Sequence, residues 1–289
     1  MNYINNHCLF IETKSFSNSL FEKSIDATYI MHLEGNGRIS SIHEQLKVYK
    51  PTNIVHIVFN KGFTKCNKSL PIQEPAFDLI DTVKYIFIDA KEKGYGNILI
   101  LEDDFLFSKE ILNSTHLNNI NNILREKKEE TMLYSLGALC WVILPYNNHT
   151  HINILSTGSH AVIYTKSSRN DFLSKKTPNL YDLDIYQNIY WGIKRYVYYK
   201  PLCYQLFPTT ENSEKWPSFF GFNPIKIYIK YTNLDKKAEN GFSYSYFMAK
   251  INGYLLILFL IILIIFLLVF IYKKSINVRK KVKLIKNKG

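Results

Sequence analysis

Apolar positions change period several times in the first hundred residues of this chain. Ala27-Thr28-Tyr29-Ile30-Met31-His32-Leu33 is rich in β-favouring residues and ends in Glu34-Gly35-Asn36-Gly37-Arg38, a turn with two glycines, so it reads as a first strand. Ile39, Ile42, Leu46 and Tyr49 then recur at helical spacing until Pro51 stops them. Ile54-Val55-His56-Ile57-Val58-Phe59 is a second strand. Pro75 opens a longer amphipathic helix in which Phe77, Ile80, Val83, Phe87 and Ala90 make one stripe, closed by Gly94. Then comes Asn97-Ile98-Leu99-Ile100-Leu101-Glu102-Asp103-Asp104-Phe105, a run of branched residues that reads as a fully buried strand ending in three carboxylates. The order strand, helix, strand, helix, strand predicts an α/β fold: a Rossmann-like, mostly parallel sheet with right-handed crossovers, flanked by helices.

Downstream the pattern is looser. Leu117, Ile120, Ile123 and Leu124 predict a helix that runs into the charged stretch 125–130. Residues 132–144 and 161–165 read as strands, with the polar turn Ser156-Thr157-Gly158-Ser159-His160 ahead of the second. Tyr181-Asp182-Leu183-Asp184-Ile185 opens a helix, and 196–206, broken by Pro201, reads as an edge strand. The expected organisation is an N-terminal arm without sustained period over 1–24, a folded domain over 25–235 and a polar connector over 236–252.

Alternation along a strand sends Glu102 and Asp104 to one side and Asp103 to the other until the chain turns. Open α/β sheets bind ligands at the carboxyl ends of their strands, which is where this cluster falls. Neighbouring carboxylates raise one another's pKa unless a cation is close. A hard divalent ion, Mn2+ or Mg2+, held by one or two carboxylates and completed by substrate phosphates and water, meets that need. The plainer reading is a strand ending in a solvated acidic turn, and so short a motif does not choose between them. The Gly35 to Arg38 turn can face the same crevice, where glycine admits a nucleotide close to the backbone and Arg38 can pair with phosphate, although Gly35-Asn36-Gly37 by itself is more often a plain turn.

Residues 253–272 are an uninterrupted apolar run with Tyr254 and Tyr272 at its ends, long enough as a helix to span a hydrocarbon core of roughly 30 Å. It reads as a C-terminal anchor followed by a basic tail over 273–289. That tail changes how the net charge of +12 is understood: its eight Lys and Arg residues stand without an acid among them and leave only +4 for the rest of the chain. No nucleic-acid partner is therefore expected. The start of the chain lacks a basic segment followed by an apolar stretch, which places the domain on the cytosolic face, whereas the basic tail argues for the opposite orientation. The sequons Asn67-Lys68-Ser69, Asn113-Ser114-Thr115 and Asn148-His149-Thr150 are usable only in that opposite orientation. Cys8, Cys66, Cys140 and Cys203 show no CxxC spacing and read as reduced, buried thiols.

With these pieces in place the chain resembles glycosyltransferase family 25, the lipopolysaccharide and collagen sugar transferase group of the GT-A type, over about residues 27 to 210. The carrying residues are Tyr29-Ile30-Met31-His32-Leu33 with Arg38 after it, Ile98-Leu99-Ile100-Leu101-Glu102-Asp103-Asp104, Gly158-Ser159-His160-Ala161, Asp182 or Asp184, and Pro201-Leu202-Cys203-Tyr204-Gln205. The family's first strand usually ends in Asn-Leu-Asp before basic residues, where this chain has His32-Leu33-Glu34-Gly35. The resemblance implies a hexosyltransferase that moves a sugar from a nucleotide-sugar donor to a hydroxyl of a glycan, lipid or protein acceptor, with inversion, and the apolar run adds a membrane anchor to it. It implies metal binding by Asp104 with Glu102 or Asp103 assisting, donor contacts from Leu33, Glu34, Arg38, Asp103 and His160, and a base at Asp184 or Asp182, Asp184 preferred.

Two other classes fit parts of the pattern. A metal-dependent phosphohydrolase would need further His and Asp ligands for a second ion, and the eight histidines show no such spacing. A catalytically inactive, membrane-tethered glycosyltransferase-like binding protein would keep the fold without the chemistry.

Overall fold

The computed structural model describes residues 7–175, 182–207 and 223–286. In chain order its elements are β1 (Leu9–Ser15), β2 (Ala27–Leu33), α1 (Ile39–Tyr49), β3 (Ile54–Asn60), α2 (Pro75–Glu92), β4 (Ile98–Glu102), β5 (Phe105–Phe107), α3 (Ser114–Glu126), β6 (Met132–Asn147), β7 (Thr150–Tyr164), α4 (Lys166–Ser174), α5 (Leu183–Ile185), β8 (Lys194–Tyr198), β9 (Cys203–Gln205), α6 (Pro224–Thr232) and α7 (Ala238–Lys286). Seven strands form one mixed sheet in the order β1-β3-β2-β4-β7-β6-β8, and β5 pairs with β9 in a separate ribbon. The parallel part is β3-β2-β4, with β6 and β8 also parallel; β1, β7 and their neighbours pair antiparallel.

β4 sits inside the sheet because both of its faces are covered. Leu99 and Leu101 belong to the core built with Ile42 and Leu46 of α1 and Ile120 and Ile123 of α3. Ile98 and Ile100 belong to the opposite core, with Ile80, Val83 and Phe87 of α2. Each of these four side chains is at most 1% exposed, a burial that stabilises by about 1.5–3 kcal/mol apiece. The Ile/Leu run of the sequence is the direct mark of that two-sided burial.

Four features differ from the sequence reading. Residues 9–15, inside the expected arm, form an edge strand in full register with β3, from Leu9 opposite Asn60 to Ser15 opposite Ile54. The polar stretch 156–160 is no turn: β7 runs through it, with the Ser156 hydroxyl accepting from the Asn153 amide of the same strand at 2.7 Å and the Ser159 hydroxyl donating to Asp184 of α5. The region expected as one edge strand is two, β8 on the large sheet and β9 on the ribbon, with Pro201 between them. Cys8 and Cys66 are a disulfide rather than two thiols, with their Cα atoms 5.7 Å apart, while Cys140 and Cys203 are free and buried.

The connector expected over 236–252 is helical from Ala238 onward and docked on the domain. Tyr246 and Ala249 pack on Ala138, Cys140 and Ile143 of β6, the Ser245 hydroxyl donates to the Cys140 carbonyl at 2.6 Å, and the Asn252 amide donates to the Trp141 carbonyl at 2.8 Å. Gly253 lies so close that an added Cβ would stand 2.0 Å from the Ile143 carbonyl oxygen. The same helix continues through the apolar run, whose residues from Tyr254 to Tyr272 are largely exposed; among the described residues it is the one helix long and apolar enough to cross a membrane. The last residues of the basic tail, 287–289, lie outside the described residues.

Candidate functional site

The carboxyl ends of β2 and β4 lie side by side, with Met31 in register with Glu102, and the turn after β2 folds over the acidic cluster. Gly35 and Gly37 hold φ of +82° and +77°, a region that side-chain-bearing residues seldom enter, which is why this turn needs two glycines. The fold it produces delivers four donors to Asp103: the Leu33 backbone N–H at 3.1 Å, the Asn36 amide at 2.5 Å, an Arg38 guanidinium N–H at 2.5 Å and His32 Nδ1 at 3.3 Å. Burial alone would raise the Asp103 pKa, but the donors from His32, Arg38, Asn36 and Leu33 prevail and hold it below the usual range. Asp103 is thus an ionised, saturated group that fastens the turn to the strand end.

Glu102 and Asp104 have no such company. Gln205, carried in by β9, donates from Nε2 to Glu102 Oε2 at 3.2 Å and to Asp104 Oδ2 at 3.4 Å, and Arg38 Nη1 approaches Asp104 Oδ2 only to 3.5 Å. Asp104 Oδ1 is buried with no partner. Burial, opposed by Arg38, pushes the Asp104 carboxyl up to about 7. Burial and the charges of Asp104, Asp184 and Asp103 drive Glu102 well above its ordinary value. Two adjoining carboxyls in this state, one with an orphaned oxygen, form a donor set short of positive charge, which is the chemistry a hard divalent ion satisfies.

Asp184, on α5, is near enough for its charge to raise the Glu102 pKa. Its carboxylate accepts the Gly158 N–H at 2.8 Å and the Ser159 hydroxyl, and burial followed by the nearby Asp182 charge pushes it up to about 6. Behind it lies a polar cavity of about 10 Å³ bordered by Ser135, Asn153, Asn188 and Arg195, room for a single water. Asp182 is spent differently: its side chain caps α5, accepting the Ile185 N–H at 3.0 Å. Helical geometry sends residues two apart in different directions, which separates the two aspartates.

The other expected donor contacts divide as well. Leu33 is 41% exposed at the strand end, Glu34 is half-buried with its N–H on the Asn60 carbonyl at 2.8 Å, and Arg38 spans Asp103 and Asp104. His160 is fully buried; its Nε2–H donates to the Cys203 carbonyl at 3.2 Å, its ring packs edge-on against Phe242 of α7, and burial lowers its pKa to about 4. His160 is thus neutral and enclosed between β9 and α7.

No family model matches the chain, and no curated protein matches it. Among solved structures it is similar to the protein A197 from STIV, at 10% identity over 65% of this chain and 87% of that one, with a TM-score of 0.40. It is also similar to a glycosyltransferase involved in the glycosylation of the major capsid of PBCV-1, at 11% identity over 65% and 96%, TM-score 0.38. A third is mannose-1-phosphate geranyltransferase from Thermus thermophilus, at 9% identity over 61% and 73%, TM-score 0.35.

Sequence reasoning gave no role to Lys65 or Gly137. The Lys65 ammonium reaches 3.1 Å from where a Gly35 Cβ would stand, adding a second cation at the turn. At Gly137 an added Cβ would stand 1.8 Å from the Cys203 carbonyl oxygen, so this glycine lets β9 approach and brings Gln205 to the carboxylates. Neither residue lies in a periodic pattern that would mark it; only the tertiary approach does.

Proposed function

We propose that this chain is a membrane-anchored glycosyltransferase that moves a sugar from a nucleotide-sugar donor to an acceptor hydroxyl, with metal assistance and inversion at the anomeric carbon. The observation that carries the reading is the pair Glu102 and Asp104, buried at a strand carboxyl end with raised pKa values and an orphaned Asp104 oxygen. Asp104 and Glu102 would hold Mn2+ or Mg2+, which when bound stabilises the negative charge that grows on a departing diphosphate. Arg38 and Lys65 flank the glycine turn and would bind the diphosphate oxygens, with Leu33 and the turn backbone against the nucleoside. Asp184, held near pH 6 by its surroundings, is suited to accept the proton of the acceptor hydroxyl as the anomeric bond breaks through an oxocarbenium-like transition state.

The test is release of nucleoside diphosphate by the detergent-solubilised full chain, with a panel of nucleotide sugars, with and without Mn2+. Ion-dependent release from at least one donor, lost in Asp104→Asn, is the expected result. Failure of every nucleotide sugar to bind with or without Mn2+ overturns the reading.

A further inference from the structure

We propose that the domain of this protein lies on the oxidising, extracytoplasmic side of its membrane, with the Cys8–Cys66 bridge closed and with Asn113 and Asn148 as acceptors of N-linked glycans. Three independent features converge on this, and none of them depends on the reaction proposed above.

The first is the bridge. It joins the residue just before β1 to the loop after β3, across 58 residues of sequence, and its cysteines are 0% and 8% exposed. It therefore pins the edge strand to the sheet from inside the packing. Such bridges persist where the surroundings are oxidising and are reduced in the cytosol. Its formation removes two electrons and two protons from the two thiols and hands them to a disulfide-bearing oxidoreductase of that compartment, whose own disulfide is reduced.

The second is charge. Within the twenty residues before the apolar run stand Lys236, Lys237 and Lys250, whereas the seventeen after it hold eight Lys and Arg. Counted close to a span, that excess keeps the tail on the cytosolic side and the domain on the other.

The third is where the sequons fall in the fold. Asn113 and Asn148 are both exposed, one capping α3 and one at the tip of the β6–β7 hairpin. Asn113 uses its Oδ1 for the cap, accepting the Thr115 N–H at 2.9 Å, so a sugar on Nδ2 leaves the cap intact. The modification forms a bond from Nδ2 to C1 of an oligosaccharide carried on a lipid diphosphate. The C1–O bond to the diphosphate breaks, and the amide gives up one proton. This orientation is the reverse of the one that the start of the sequence suggested.

The experiment is expression of the full chain in eukaryotic cells, followed by three readouts on sealed microsomes. Residues 7–250 are expected to survive added protease. A mobility shift is expected on glycosidase treatment, reduced by one glycan in each of Asn113→Gln and Asn148→Gln; Thr115→Ala gives the same loss as Asn113→Gln while sparing the Asn113 cap. Maleimide is expected to label Cys8 and Cys66 only after reductant and denaturant together. Digestion of the domain from outside sealed vesicles overturns the orientation, and protection without any glycan overturns the two modification sites. Labelling of Cys8 and Cys66 under denaturant alone overturns the bridge; so does a bound transition metal, since His7, Cys8 and Cys66 place ligand atoms within 4.8 Å of one another and could hold one in the reduced protein.

Discussion

Replacing Asp104 by Asn tests whether a carboxylate is being held for a cation at the cost of stability. Asp104 has an ordinary pKa of 3.8 and a folded-state value of about 7, set chiefly by burial. Well below pH 3.8 the group is protonated in both the folded and unfolded chain and costs nothing. As pH rises from 4 to 7 the unfolded chain gives up its proton while the folded chain keeps it, so stability falls by about 1.4 kcal/mol per pH unit, up to about 4 kcal/mol in all. Above pH 7 the loss is complete and constant. Asn keeps the size and hydrogen bonding and never ionises, so Asp104→Asn should come within about 1 kcal/mol of the wild type at pH 4 and exceed it by up to about 4 kcal/mol at pH 8, a rise of roughly 10 °C in melting temperature for a chain of this size. Coupling to Glu102, whose pKa is also raised, spreads part of this effect over the pair. Mn2+ at a hundred times its Kd should return about 2.7 kcal/mol to the wild type and nothing to the variant. The assay is intrinsic-fluorescence melting of the detergent-solubilised full chain from pH 4 to 8.5, with and without Mn2+. A wild-type-to-variant difference that is the same at pH 4 and pH 8, or an equal Mn2+ shift in both proteins, refutes the reasoning.

Asp184→Asn should leave Mn2+ and donor binding intact and slow transfer by about a hundredfold or more, and the wild-type rate should climb with pH through about 6 as the carboxyl loses its proton; an unchanged pH–rate profile in the variant counts against a base at this position. Asp182→Ala removes a helix cap, so it should cost about 1 kcal/mol in stability and leave turnover per folded molecule unchanged. Arg169, 1% exposed, donates to the carbonyls of Tyr95, Gly96 and Tyr164; Arg169→Met leaves all three short of a partner and should cost about 3 kcal/mol or more, read as lost urea resistance. Gly253→Leu should push α7 off β6, and faster backbone exchange at Cys140 to Leu144 in hydrogen-exchange mass spectrometry is the expected sign, with an unperturbed β6 as the contrary result.

The first half of the fold is written locally. β2, α1, β3, α2 and β4 each carry their own period and their own stop signal, and the acidic end of β4 is visible because three carboxylates in succession break an Ile/Leu run. What could not be read is what depends on distant partners. β1 has half-exposed and exposed residues on a sheet edge, so its pattern is diluted, and only pairing with β3 defines it. The Cys8–Cys66 bridge joins cysteines with no spacing motif. Residues 238–252 look polar in sequence because only one stripe, Phe242, Ser245, Tyr246 and Ala249, meets the domain. Within the site, alternation separated Asp103 from Glu102 and Asp104, but the four donors that neutralise Asp103 arise from how the glycine turn folds back.

The continuity of α7 sets a distance. Phe242, whose ring packs against His160, and Gly253, where the apolar run begins, lie on one unbroken helix anchored to β6 in between. Eleven residues at 1.5 Å each put Phe242 about 16 Å along that helix from the start of the apolar run. No flexible tether separates the two, so the docked domain and the apolar run are held as one piece by a single helix.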